Sequence, residues 1–185
     1  MRFDSITLTR LLIILGLFWA PVAYSAIAPA LSKVITLKSH GGAQLTVPAW
    51  KSSRADDAVT VLERSGAASR GGFFTLVLAV EEGPTKVEVI DWTAVRDNIL
   101  GAAKGAGSNL TLESLGDWEG AELFKGHRFK GTMRRGDRDV AVQMVALMAS
   151  GMMLTVTSLG SPDDAMLAQV AESVAQTASR PSAIP

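Results

Sequence analysis

Val140-Ala141-Val142-Gln143-Met144-Val145-Ala146-Leu147-Met148-Ala149, then Ser150-Gly151, then Met152-Met153-Leu154-Thr155-Val156-Thr157-Ser158 is the stretch on which the fold turns. Two apolar runs flank a short Ser-Gly break, the pattern of antiparallel strands joined by a tight turn. A helix signal follows at once. Ser161-Pro162-Asp163-Asp164 offers an N-cap, a proline at the first helical position and two acids facing the positive helix end. Met166, Leu167, Val170 and Val174 then form a helical stripe.

Upstream, Arg134-Arg135-Gly136-Asp137 reads as a hairpin tip. Before it, Leu110 to Leu115 alternates as a strand, and Trp118 to Phe124 and His127 to Met133 read as two more. Phe73 to Val80 is nearly continuously apolar, as in a strand buried on both faces. Between these, Asp91 caps a helix whose Trp92, Val95, Ile99 and Ala103 share one face, with Gly105 and Gly107 ending it. Val34 to Leu37 and Gln44 to Val47 flank Ser39-His40-Gly41-Gly42 as an opening hairpin. Lys51 to Asp57 reads as polar loop, Ala58 to Leu62 as a strand, and Gly66 to Gly72 as a connection. The sum is an α+β domain, an antiparallel β-sheet of six to eight strands flanked by helices.

The N-terminus reads as an export signal over residues 1–25. Arg2 and Arg10 precede the short apolar core Leu11 to Ala20, and Ala23 and Ser25 favour cleavage before Ala26. The competing reading is a retained anchor, because no charge interrupts Leu11 to Leu31; Pro21 and Pro29 speak against it. Residues 26–32 then form a tether, 33–178 the domain and 179–185 a flexible tail. The expected location is periplasmic or secreted, or membrane-anchored if the segment stays.

The 185 residues hold 18 Lys+Arg, 18 Asp+Glu, two histidines and no cysteine. Cysteine nucleophiles, Cys-ligated zinc and iron–sulfur clusters are excluded, as is a lipid-anchored lipobox. Cleavage before Ala26 removes two bases and one acid, so the mature chain stays near neutral. No global field attracts nucleic acid, and a membrane is a partner only if residues 11–31 are kept.

The opening hairpin ends in Leu45-Thr46-Val47-Pro48-Ala49-Trp50, a middle helix follows a strongly apolar strand, and Met153-Leu154-Thr155-Val156-Thr157-Ser158 precedes an acid-capped helix from Pro162 to Ala178. This order, across residues 33–178, resembles the PsbP-like domains, including the bacterial DcrB-like branch. The resemblance implies an α/β/α sandwich with a central antiparallel sheet. It also implies a non-enzymatic binding or assembly role, with no shared catalytic set and no cofactor. The chain departs from lipoprotein members by lacking the lipobox cysteine, and from cytoplasmic adaptors by its export signal.

The chemistry-bearing residues are few. His40 is accounted for by turn composition, and His127 by alternation with Phe129 on a strand. Neither sits in a metal-binding spacing. Asp56/Asp57, Glu81/Glu82 and Asp163/Asp164 are adjacent acids, for which solvation or capping suffices. Lys125, Arg128, Lys130, Arg134, Arg135 and Arg138 form the basic concentration, and its Arg128, Lys130, Arg134, Arg135 and Arg138 read either as a docking strip for an acidic partner or as a solvated hairpin face. Met144, Met148, Met152 and Met153 suit a core, and Trp50, Trp92 and Trp118 suit either a groove or burial. The expectation is an exported, non-catalytic binding or assembly protein of the cell envelope acting through protein contact. The alternatives are a carrier or sensor of a small apolar ligand and, last, a hydrolase using His127 with a carboxylate.

Overall fold

The computed structural model describes residues 29–64 and 74–181. The stretch read as an export signal, residues 1–25, and the Gly66 to Gly72 connection lie outside those residues. β1 (Leu31–Leu37) and β2 (Ala43–Pro48) form a two-stranded hairpin. A seven-stranded antiparallel sheet follows, in the order β3-β4-β5-β9-β8-β7-β6. Its strands are β3 (Lys51–Ala55), β4 (Val59–Glu63), β5 (Phe74–Glu82), β6 (Leu110–Trp118), β7 (Lys125–Arg135), β8 (Arg138–Ala149) and β9 (Met152–Gly160). Helix α1 (Trp92–Gly105) falls between β5 and β6, and α2 (Met166–Gln176) follows β9. The expected α+β architecture is the one observed. Among the described residues no helix is long and apolar enough to cross a membrane.

Side-chain alternation sorts the two faces. On β8, Val145, Leu147 and Ala149 join one core with Leu76 and Leu78 of β5, Leu45 and Val47 of the hairpin, and Leu167, Val170 and Val174 of α2. Val142, Met144 and Ala146 point the other way, joining Leu112 and Phe129 in a smaller cluster against Trp92, Ile99 and Leu100 of α1. The sheet is thus sandwiched between α2 with the hairpin on one side and α1 on the other. Polar bonds fix α2 at both ends. The fully buried Ser158 hydroxyl donates to Leu167 O at 2.5 Å, and Thr177 Oγ1 accepts from Thr46 N at 2.8 Å.

Several boundaries differ from the sequence reading. Lys51 to Ala55 is the edge strand β3, paired with β4, and not loop. An edge strand needs few apolar residues, so its composition looks like that of a loop. Residues 119–124 form the link between β6 and β7, not a strand. β5 is fully buried on one face only, through Phe74, Leu76, Leu78 and Val80; Thr75, Val77 and Ala79, on the other face, are half-buried. α2 begins at Met166, later than Pro162, because Ser161 to Asp164 makes a turn of its own (Asp164 N to Ser161 O, 3.0 Å). Asp164 Oδ1 then accepts from Met166 N at 3.0 Å, the bond expected of Ser161. Ser179, first residue of the stretch read as a tail, exchanges both backbone bonds with Gln44 (2.8 and 2.9 Å).

Candidate functional site

β6 and β7 build the site through an irregular register. Ser114 lies opposite Phe129, Gly116 opposite Arg128 and Asp117 opposite His127, so Leu115 is one residue in excess. Residues three apart on a regular strand point to opposite faces. The bulge cancels that difference and brings Ser114 and Asp117 to the same face, on either side of His127. Gly116 sits at φ 103° there, a backbone region that glycine reaches without Cβ conflict. Asp117 Oδ1 lies 2.9 Å from His127 Nδ1, and Ser114 Oγ lies 2.7 Å from His127 Nε2. In the neutral imidazole a proton on Nδ1 suits the Asp117 carboxylate, which can only accept when ionised, and Nε2 then accepts from the Ser114 hydroxyl.

His127 is only 6% exposed. The Trp92 indole stacks on its ring at 5.0 Å with an interplanar angle of 22°, and Phe129 lies against it at 4.8 Å. The first residue of α1 is therefore held to the sheet through an imidazole whose orientation two side chains fix. Asp91, just before it, accepts from Thr93 N and Ala94 N at 3.0 and 3.1 Å and starts the helix as the sequence predicts.

Next to this network opens a hollow of about 590 Å³, bounded by Trp92, Trp118, the 119–124 link with Phe124, and the first residues of β7. That volume falls within the range of small-molecule sites. Trp118 reaches it only because two neighbours lack side chains. A Cβ on Gly120 would lie 2.6 Å from the Trp118 ring, and one on Gly126 would lie 2.6 Å from its Cε3. The rim carries Asp117, Glu119 and Glu122 against Lys125. Lys125 Nζ donates to Glu88 O at 2.7 Å, which ties the segment before α1 to β7. Glu119 and Glu122 make no ion pair among the described residues and are exposed. Leu123, between two lining residues, is 63% exposed.

The residues singled out from sequence are dispersed. Arg128 points towards α2, its guanidinium 3.4 Å from Glu172, and its Nε is buried without a partner. Lys130 lies 3.2 Å from Glu113, and Arg134 lies 4.0 Å from Asp139 and donates to Gly136 O at 3.3 Å. Arg135 pairs with Arg138 across the tip, where Arg138 is exposed. His40 is an exposed turn residue at φ 52°, remote in the fold from His127. No group of three potential metal ligands occurs among the described residues. Met144, Met148 and Met152 are core, and Trp50 packs edge-on to Phe74 at 5.0 Å. Asp56 organises the β3–β4 turn, accepting from Arg54 and from the amides of Ala58 and Val59. The Arg54 bond first, then those amides, holds its carboxyl below the ordinary value. Sequence reasoning passed over Ser114 and Asp117. Their one available signal was Gly116, which the sequence reading left between two strands but which marks a bulge within the single strand Leu110–Trp118.

No protein-family model matches the chain, and no curated protein matches it. Among the solved structures that are similar to it are three from bacteria. One, from Bacteroides thetaiotaomicron, has a TM-score of 0.49 at 8% identity, covering 75% of this chain and 45% of its own. LpqN of Mycobacterium tuberculosis, involved in cell envelope biogenesis, has a TM-score of 0.46 at 17% identity, covering 74% and 82%. PA94 of Pseudomonas aeruginosa, a protein of unknown function, has a TM-score of 0.42 at 15% identity, covering 72% and 86%. This chain thus spans under half the length of the first. At these identities and TM-scores the likenesses carry nothing about a ligand or partner.

Proposed function

We propose that this chain is an exported, non-catalytic binding protein of the cell envelope whose ligand site is the hollow beside α1. The N-terminal signal pattern supports export, and the element order supports kinship with the PsbP-like and DcrB-like domains. The observation that carries the binding role is the hollow, with two indoles and Phe124 on its walls and glycines making room for Trp118. The sequence reading put a protein partner first and a small apolar ligand as the alternative; the hollow's volume favours the small ligand. The basic strip is the weaker contact surface, since Arg128, Lys130 and Arg134 already face carboxylates.

Native mass spectrometry of protein purified from its own envelope fraction tests this. The expected result is a chain starting near Ala26 with a non-covalent adduct that Trp118→Ala lacks. A bare chain bringing down one protein, and still doing so as Trp118→Ala, would move the function to protein docking. A full-length, membrane-held chain would replace export with anchoring.

One observation favours a second reading. Asp117, His127 and Ser114 are hydrogen-bonded in the order of a Ser-His-Asp relay, so Ser114 is a candidate nucleophile for acyl hydrolysis. Against it, Ser114 stands on edge strand β6 with no nucleophile-elbow turn, and Trp92 and Phe129 crowd the imidazole. Fluorophosphonate labelling of Ser114, lost in Asp117→Asn, would establish it; absence of labelling ends it.

A further inference from the structure

We infer that the hollow selects a small organic cation, an ammonium group on an apolar stem. The inference rests on reading the hollow as a ligand site and adds the ligand's charge. Three acidic residues, Asp117, Glu119 and Glu122, line it against one base. That base is engaged, since Lys125 donates to the Glu88 carbonyl at 2.7 Å. Asp117 is engaged as well, through His127, while Glu119 and Glu122 remain free of ion pairs among the described residues. An anion entering here would meet an excess of negative charge; a cation finds two unpaired carboxylates.

The walls point the same way. The negative face of an indole attracts an ammonium group, and Trp is the strongest of the side chains in this respect. Trp92 and Trp118 both line the hollow, and each is fixed by something other than a ligand: Trp92 by its stack on His127, Trp118 by the space above Gly120 and Gly126. The aromatic surface is therefore in place before binding, and little conformational freedom is lost when a ligand arrives. Ala121 and Phe124 give the stem apolar contact.

Calorimetric titration of the purified protein with phenethylamine, 2-phenylethanol and 3-phenylpropionate separates charge from shape, because the three share a phenyl stem. Phenethylamine should bind about tenfold more tightly than the alcohol, the size expected of a cation held by aromatic faces and carboxylates, and the carboxylate should bind weakest. Glu119→Gln with Glu122→Gln, both on the exposed rim, should lower phenethylamine affinity several-fold and change that of the alcohol less. Equal binding of amine and alcohol would overturn the cation proposal while keeping the hollow as a ligand site. Binding of none of the three would overturn both. A phenylalanyl-arginine amide that binds where phenethylamine does not would replace the small cation by a protein's basic side chain.

Discussion

Gly126 shows how one missing side chain shapes the site. A methyl group there meets the Trp118 ring, the Trp118 carbonyl and Leu147 at once, and two of these belong to strand and core that have no room to move. Gly126→Ala should therefore cost about 1–3 kcal/mol, the range for overpacking, and should abolish binding in the hollow. Gly101 is the opposite case: it lies inside α1 with nothing within 4 Å of an added Cβ. Gly101→Ala should stabilise by about 0.5–1 kcal/mol. Urea unfolding of the two variants, with opposite shifts in midpoint, checks both. Trp118 was legible in the sequence as a groove residue or a buried one, but no pattern shows that two glycines flank its ring. Ser114 and Asp117 were illegible for a related reason. Their three-residue spacing puts them on opposite faces until a bulge, marked only by Gly116, puts them together.

At the scale of elements, the helices were read from caps and stripes, and the two caps fared differently. Asp91 binds the amides of Thr93 and Ala94 as expected, so Asp91→Ala should cost about 1 kcal/mol, seen as lost helical signal and a lower unfolding midpoint. For α2 the capping chemistry was legible but its position was not, because Ser161 to Asp164 closes a turn before the helix begins. The core strands were legible from their apolar runs, whereas β3 was missed because its five residues Lys51–Ala55 are mostly polar and exposed. The turn after β3 depends on Asp56. Its carboxyl is held below the ordinary value chiefly by Arg54, then by the amides of Val59 and Ala58. A lowered value in the fold means that the charged form is favoured there. The stabilisation is complete above the unfolded value near about 3.9 and is lost as pH falls through the folded value. Wild type and Asp56→Asn should thus differ in unfolding midpoint near neutrality and converge on acidification; a constant gap from about pH 2 to pH 6 would show that the charge is not responsible.

Across the whole molecule, the two faces of the sheet are unequal, and the site draws on both: Trp92 belongs to the α1 layer, while Trp118, Ala121 and Phe124 pack with the main core. α2 buries Leu167, Val170, Ala171, Val174 and Ala175 in the main core and is hydrogen-bonded at one end to β9 and at the other to the β1–β2 hairpin, whereas α1 has no fully buried residue. A helix held by half-buried side chains opens locally at less cost than the fold as a whole. Fold class could be read from sequence because both faces leave periodic apolar patterns. The ligand site could not, because the hollow depends on where α1 is set down and on how the 119–124 link runs. The same inequality gives a prediction. In hydrogen exchange, the amides of α1 should exchange well before those of α2, β8 and β9. A cation bound between Trp92 and Trp118 has to hold α1 against the sheet, so phenethylamine should slow exchange in α1 selectively. Uniform protection of both helices without ligand would contradict this division of stability. Protection gained equally throughout would mean that the ligand acts on global stability and not through α1.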